Sequence, residues 1–136
     1  PGSYTALRVG ASFIAGLGQS MSLPVAIISI ENIYKFLSPL NINSGIYFQS
    51  SNNQNFLTFK LDEKFVHKKI ENKNFVYPKH ITNLFYNNIC PEFKNRSIIP
   101  TPFSLQEIIL KNINNLEFKT NLIIKPIYIS NNEILN

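Results

Sequence analysis

The sequence predicts an α/β fold, and three observations carry the prediction. An apolar block, Val25 to Ile30, stands between two segments of helical character, the order expected of a strand sandwiched between layers. Beyond Leu40 the texture changes to short alternating runs parted by Asn-rich turns. A hydrophobic share of 44% over 136 residues is enough for a packed core.

Taken in order, Ser3 to Ser20 reads as the first helix. Pro1-Gly2 supplies the turn, and Ser3 or Thr5 can cap the free amides. Ala6, Gly10, Phe13 and Leu17 share one face, with Ala11, Ala15 and Gly18 beside them. A glycine inside a helix costs about 1 kcal/mol against alanine, so Gly10, Gly16 and Gly18 call for close approach by another element. Leu23-Pro24 ends this helix. Val25 to Ile30 is then a buried parallel strand, and Glu31 to Leu37 a short helix broken by Ser38-Pro39.

Gly45 to Ser50 and Asn55 to Leu61 read as a hairpin across the turn Ser51-Asn52-Asn53-Gln54, with a third strand over Lys64 to Ile70. A short helix is expected over Lys79 to Tyr86, a loop over Cys90 to Pro100, and an amphipathic helix over Phe103 to Ile113 started by Thr101-Pro102. Thr120 to Ile124 and Ile127 to Ile129 read as an extended tail.

No apolar run approaches the roughly 20 residues that span a bilayer, and the start lacks the basic-then-apolar order of a signal peptide. The lone Cys90 cannot form an internal disulfide, which fits a reducing, cytoplasmic setting. A net charge of +5 invites a nucleic-acid reading. Only Arg8 and Arg96 among the cations are arginines, however, and a site that grips phosphates recruits the guanidinium fork. Scattered lysines in a chain rich in Asn, Ile, Phe and Tyr look like the drift of an A/T-rich coding sequence.

No constellation of catalytic residues is evident. Pro1-Gly2-Ser3 lacks the lysine of a phosphate loop and reads as a tight turn. His67 and His80 read as solvated loop or helix-end residues, too far from other ligands for a metal site. Asp62-Glu63 reads as a charged strand end, and Cys90 has no basic flank to hold a thiolate. Catalytic, metal-ligating and cofactor-binding residues are therefore expected to be absent.

The opening segment "PGSYTALRVG…GLGQSMSLPVAIIS" nonetheless resembles the TsaB (YeaZ-like) family of the glycoprotease-like superfamily, whose hallmark is G-P-G-S-x-T-G-x-R-x-G before an Ala/Gly-rich helix, then Leu-Pro and a buried strand. Ala6 stands where the family has the Gly after Thr. "GIYFQSSNNQNFLTFKL" is similar to the family's strand, Asp-Ala-Arg turn and second strand, with Ser and Asn replacing Asp and Arg. "PTPFSLQEIILKNI" and "KPIYISNN" are similar to its last helix and tail, with Ser130 where Arg is usual.

The resemblance implies an actin-like, sugar-kinase-like (ASKHA) fold with an incomplete first lobe, residues 1–40, and an α+β second lobe, residues 41–136. Family members begin with three strands and a helix ahead of the motif, so the chain reads as a fragment or as an eroded gene product. The function implied is support of N6-threonylcarbamoyladenosine formation at position 37 of tRNA. Chemistry there belongs to a TsaD-like catalytic partner, assisted by a TsaE-like ATPase; tRNA is met only indirectly. The partner-binding helix carries Thr5, Ala6, Arg8, Gly10, Ala11, Phe13, Ala15 and Leu17, a surface that also suits a homodimer.

In TsaD-like enzymes two histidines four apart bind the metal, and the matching positions here are Ile30 and Tyr34. Ile has no lone pair and Tyr is protonated at neutral pH, so a non-catalytic subunit is expected. The competing expectations are a metal-dependent transferase or protease-like enzyme of the same superfamily, a basic tRNA-binding module, and a non-functional remnant.

Overall fold

Period-two alternation in the middle of the chain builds the framework on which everything else rests. The computed structural model describes residues 4–37, 43–50, 53–71, 75–92, 97–121 and 123–125. Its elements are α1 (Tyr4–Ser20), α2 (Ile30–Leu37), β1 (Ser44–Gln49), β2 (Asn55–Leu61), β3 (Lys64–Ile70), β4 (Asn83–Tyr86), β5 (Ile99–Pro102) and α3 (Leu105–Lys111), with a 3-10 turn at Ile113–Asn115. The strands form one mixed sheet in the order β3-β2-β1-β4-β5, which makes the fold α/β. β1, β2 and β3 pair antiparallel, whereas β4 and β5 run parallel to β1.

The expected hairpin is present, with Ile46 opposite Thr58 and Phe48 opposite Phe56. The third strand is also present, in register Thr58↔His67. Asp62 and Glu63 link β2 to β3 with φ of 47° and 65°, the left-handed pair whose twist matches a two-residue hairpin. Beyond the β1–β4 ladder a side chain takes over. Asn87 Oδ1 accepts the Gln49 N–H at 2.9 Å while its Nδ2 donates to the Gln49 carbonyl at 3.2 Å.

Alternation sends side chains to two cores. One face joins Tyr47, Leu57, Phe59, Val66 and Leu84 with Ile81 and Ile98 from the flanking loops. The other joins Ile46 with Ile33 and Tyr34 of α2, Phe103, and Ile108 of α3. At about 25 cal/mol per Å² of apolar area removed from water, such two-sided burial is the main stabilising term of the sheet.

Three expected elements are corrected. Val25 to Ile30 is not a buried parallel strand: Val25 makes a single antiparallel bridge to Lys119, through two 2.9 Å hydrogen bonds, and Ile27 is exposed. Ile30 instead opens α2, because Ser29 and Asn32 cap it reciprocally. The Ser29 hydroxyl accepts from the Asn32 N–H at 3.1 Å, and Asn32 Oδ1 accepts from the Ser29 N–H at 3.0 Å.

The segment Lys79 to Tyr86 is not a helix. It makes one turn, in which the Ile81 N–H donates to Pro78, and then enters β4 beside β1 with Leu84 fully buried. Phe85 and Tyr86 are of types enriched in strands, and pairing with β1 together with burial of Leu84 holds the run extended.

The last helix is shorter than Phe103 to Ile113. Thr101 and Pro102 belong to β5, so the expected loop ends at Ser97–Ile98, and Ser104 is the N-cap, accepting the Glu107 N–H at 3.4 Å. Asn112 ends the helix by donating from Nδ2 to the Ile108 carbonyl at 2.9 Å. The Pro1-Gly2-Ser3 turn, Ser51-Asn52, Arg96 and the Ile127 to Ile129 part of the expected extended tail lie outside the described residues.

Candidate functional site

Two places concentrate the residues that the sequence singles out. The first is α1. Leu7, Ala11, Ile14, Ala15 and Gly18 fall along one side of a 3.6-residue helix, and of these Leu7, Ala11 and Ala15 are half-buried and Gly18 buried. A Cβ on Gly18 would stand 2.6 Å from Val25 Cγ2, so this glycine alone among the three in α1 serves a close approach. Nothing lies within 4 Å of where a Cβ would be at Gly10 or Gly16.

The expected interface residues therefore divide. Thr5, Ala6, Arg8, Gly10, Phe13 and Leu17 are exposed, and Ala11 and Ala15 are half-buried on the adjoining side. Phe13 is 64% exposed, and Val9, Ile14, Met21 and Leu23 extend the same open apolar surface. Val9 and Ile14, both exposed and apolar, are not among the expected interface residues, which follow the small side chains.

The second place is the seam between α2 and the sheet. Ile30 and Tyr34, the positions matched to metal-binding histidines, lie one turn apart on α2 against the second core. The Tyr34 hydroxyl, from a side chain only 2% exposed, donates to the Ser44 carbonyl at 3.0 Å and stands edge-on to Phe65. Burial raises the Tyr34 pKa above its ordinary 10.0.

Beside it, His67 departs from the expected solvated loop residue. It sits in β3, with Nδ1 2.9 Å from Thr58 Oγ1 on the paired strand and Nε2 3.5 Å from Glu31 Oε1 on α2. A carboxylate has only lone pairs to offer, so the nitrogen facing Glu31 carries the proton, and in the neutral ring Nδ1 accepts from Thr58.

Carboxylate, imidazole and hydroxyl in series is the order of an activated nucleophile. Thr58, however, is 2% exposed in the middle of the sheet, out of reach of a substrate. The series instead ties α2 to β2 and β3. Sequence reasoning missed it because Glu31 and His67 are far apart in the chain and meet only after the hairpin register and the α2 packing are set.

His80 is likewise a tether: its Nε2 lies 3.1 Å from the Lys60 carbonyl, and its ring lies 5.6 Å from that of Phe59. Cys90 is exposed, with Sγ 3.8 Å from the Pro91 carbonyl. Among the described residues no group of three or more His, Cys, Asp or Glu side chains is placed to hold a metal ion, and no helix is long and apolar enough to cross a membrane. No protein-family model, curated protein or solved structure matches the chain.

Proposed function

We propose that the protein is a non-catalytic, TsaB-like accessory subunit that supports threonylcarbamoyladenosine formation on tRNA by docking a TsaD-like catalytic partner along α1, within an actin-like, two-lobed architecture. The observation that carries this reading is the open surface of α1. Nothing lies within 4 Å of where a Cβ would be at Gly10, which leaves room for a partner's backbone, and the exposed Phe13 and Leu17 offer apolar area to bury. Helices meet at axis separations of 8–10 Å, and small residues favour the closest approaches.

The resemblance of the opening motif supplies the partner's identity. The filling of the Ile30 and Tyr34 positions by a side chain without a donor and by a buried phenol agrees with a supporting role. The test is co-purification of the protein with a TsaD-like catalytic subunit, alongside Gly10→Leu and Phe13→Asp. Retention of the wild type and loss of both variants, each still folded by circular dichroism, is the expected result. Absence of a complex with the wild type, or equal retention of the two variants, refutes the reading.

A further inference from the structure

The two edges of the sheet are built differently, and the difference points to a second binding surface. On β5 the Ile99 N–H donates to the Thr82 carbonyl at 2.8 Å and the Phe103 N–H to the Tyr86 carbonyl at 2.9 Å, so odd-numbered residues face β4. The outward positions are Pro100 and Pro102, which have no N–H to give. That edge is closed to another strand.

On β3 the pair Leu61↔Lys64 closes the two-residue hairpin, so Lys64, Val66, Lys68 and Ile70 exchange bonds with β2. Phe65, His67 and Lys69 then turn their N–H and C=O groups outward, and no backbone partner meets them among the described residues.

We propose that the β3 edge accepts an extended, acidic segment of another protein as a sixth strand. The charge pattern selects that occupant. Lys64, Lys68 and Lys69 lie along the strand with no carboxylate among residues 64–70 themselves, while Glu31 of α2 stands 3.5 Å from His67. The flanking Glu63 and Glu71 sit on Lys60 at 3.6 Å and on Lys69 at 3.7 Å. Edge lysines are a guard against self-pairing, since a second β3 would bring a second set of like charges. Lys64, exposed at the head of the strand, can meet a carboxylate of an incoming strand directly, and Lys69 can do so by exchanging Glu71 for it. Main-chain bonds supply affinity, and the side chains at alternate positions supply the choice of partner. This surface is independent of α1.

The experiment uses the full chain and a capped peptide alternating Glu and Val. Nuclear magnetic resonance hydrogen exchange is expected to show protection of the Phe65, His67 and Lys69 amides on peptide addition. Binding should weaken by about tenfold or more as salt rises from about 50 mM to about 500 mM, and should fail for a peptide alternating Lys and Val. The double variant Lys64→Glu with Lys68→Glu should reverse the preference between the two peptides; the salt series on wild-type protein tests the same point if that variant does not fold. The proposal is overturned by no protection of these amides, by equal binding of both peptides, or by protection already present without peptide. Such prior protection means a second copy if it rises with protein concentration, and another part of the chain if it does not.

Discussion

Helices α1 and α2 are both rich in apolar residues, yet one lies open and the other is sealed into the core. In α2, Ile30, Ile33, Tyr34 and Leu37 recur at the spacing of a single face, with Glu31 in the first turn, Lys35 in the last, and a reciprocal Ser29–Asn32 cap. In α1 the apolar residues run most of the way around, three glycines interrupt them, and neither end carries a charge that complements the helix dipole. The lesson is that apolar content says a surface is to be covered, whereas periodicity and caps say whether the chain itself covers it.

The contrast can be broken most directly by truncating α2. Ile33→Ala empties a site only 5% exposed and should destabilise by about 2–5 kcal/mol in urea unfolding; a cost under 1 kcal/mol would mean that α2 is no better seated than α1. Removing the Ser29 cap by Ser29→Ala should cost about 1 kcal/mol in the same measurement, with loss of helical signal confined to α2. Tyr34→Phe removes a buried hydrogen bond and should cost about 1 kcal/mol near neutral pH.

That last variant also sharpens the comparison by pH. Burial raises the Tyr34 pKa in the folded chain, so the unfolded chain releases its proton first as pH climbs past 10.0. The stability linked to Tyr34 is therefore whole below pH 10.0 and declines above it. Tyr34→Phe should make the alkaline limb of the stability profile shallower. The smallest effect belongs to α1: Phe13→Ser should change the stability of the isolated chain by no more than about 0.5 kcal/mol, because the ring is already in water.

Local pattern made much of the sheet readable. The hairpin of β1 and β2, and β3 after it, follow from alternation and from the turn residues between them, and α1 ends where its small-residue pattern ends. What escaped is non-local. The segment Asn83–Tyr86 becomes a strand only because β1 offers it a parallel neighbour, and Val25 does not become one because only Lys119 meets it. Ser104-x-x-Glu107 places the start of α3 after Pro102, a signal that the reading from Thr101-Pro102 does not use. On the site, Thr5, Ala6, Arg8, Gly10, Phe13 and Leu17 of the expected interface are exposed, whereas Ala11 and Ala15 are half-buried and the exposed Val9 and Ile14 stand outside the expected set. The Glu31–His67–Thr58 series was not foreseen, since nothing in sequence spacing brings a helix carboxylate over a strand imidazole.

The side chain of Asn87, standing in for a peptide unit against Gln49, carries a chemical consequence. Asparagine ages in water by losing ammonia, and the carboxylate left behind can only accept. At this position that would set oxygen against the Gln49 carbonyl where Nδ2 now donates, so the outermost rung of the parallel seam has a fastening that can expire with time as well as with heat.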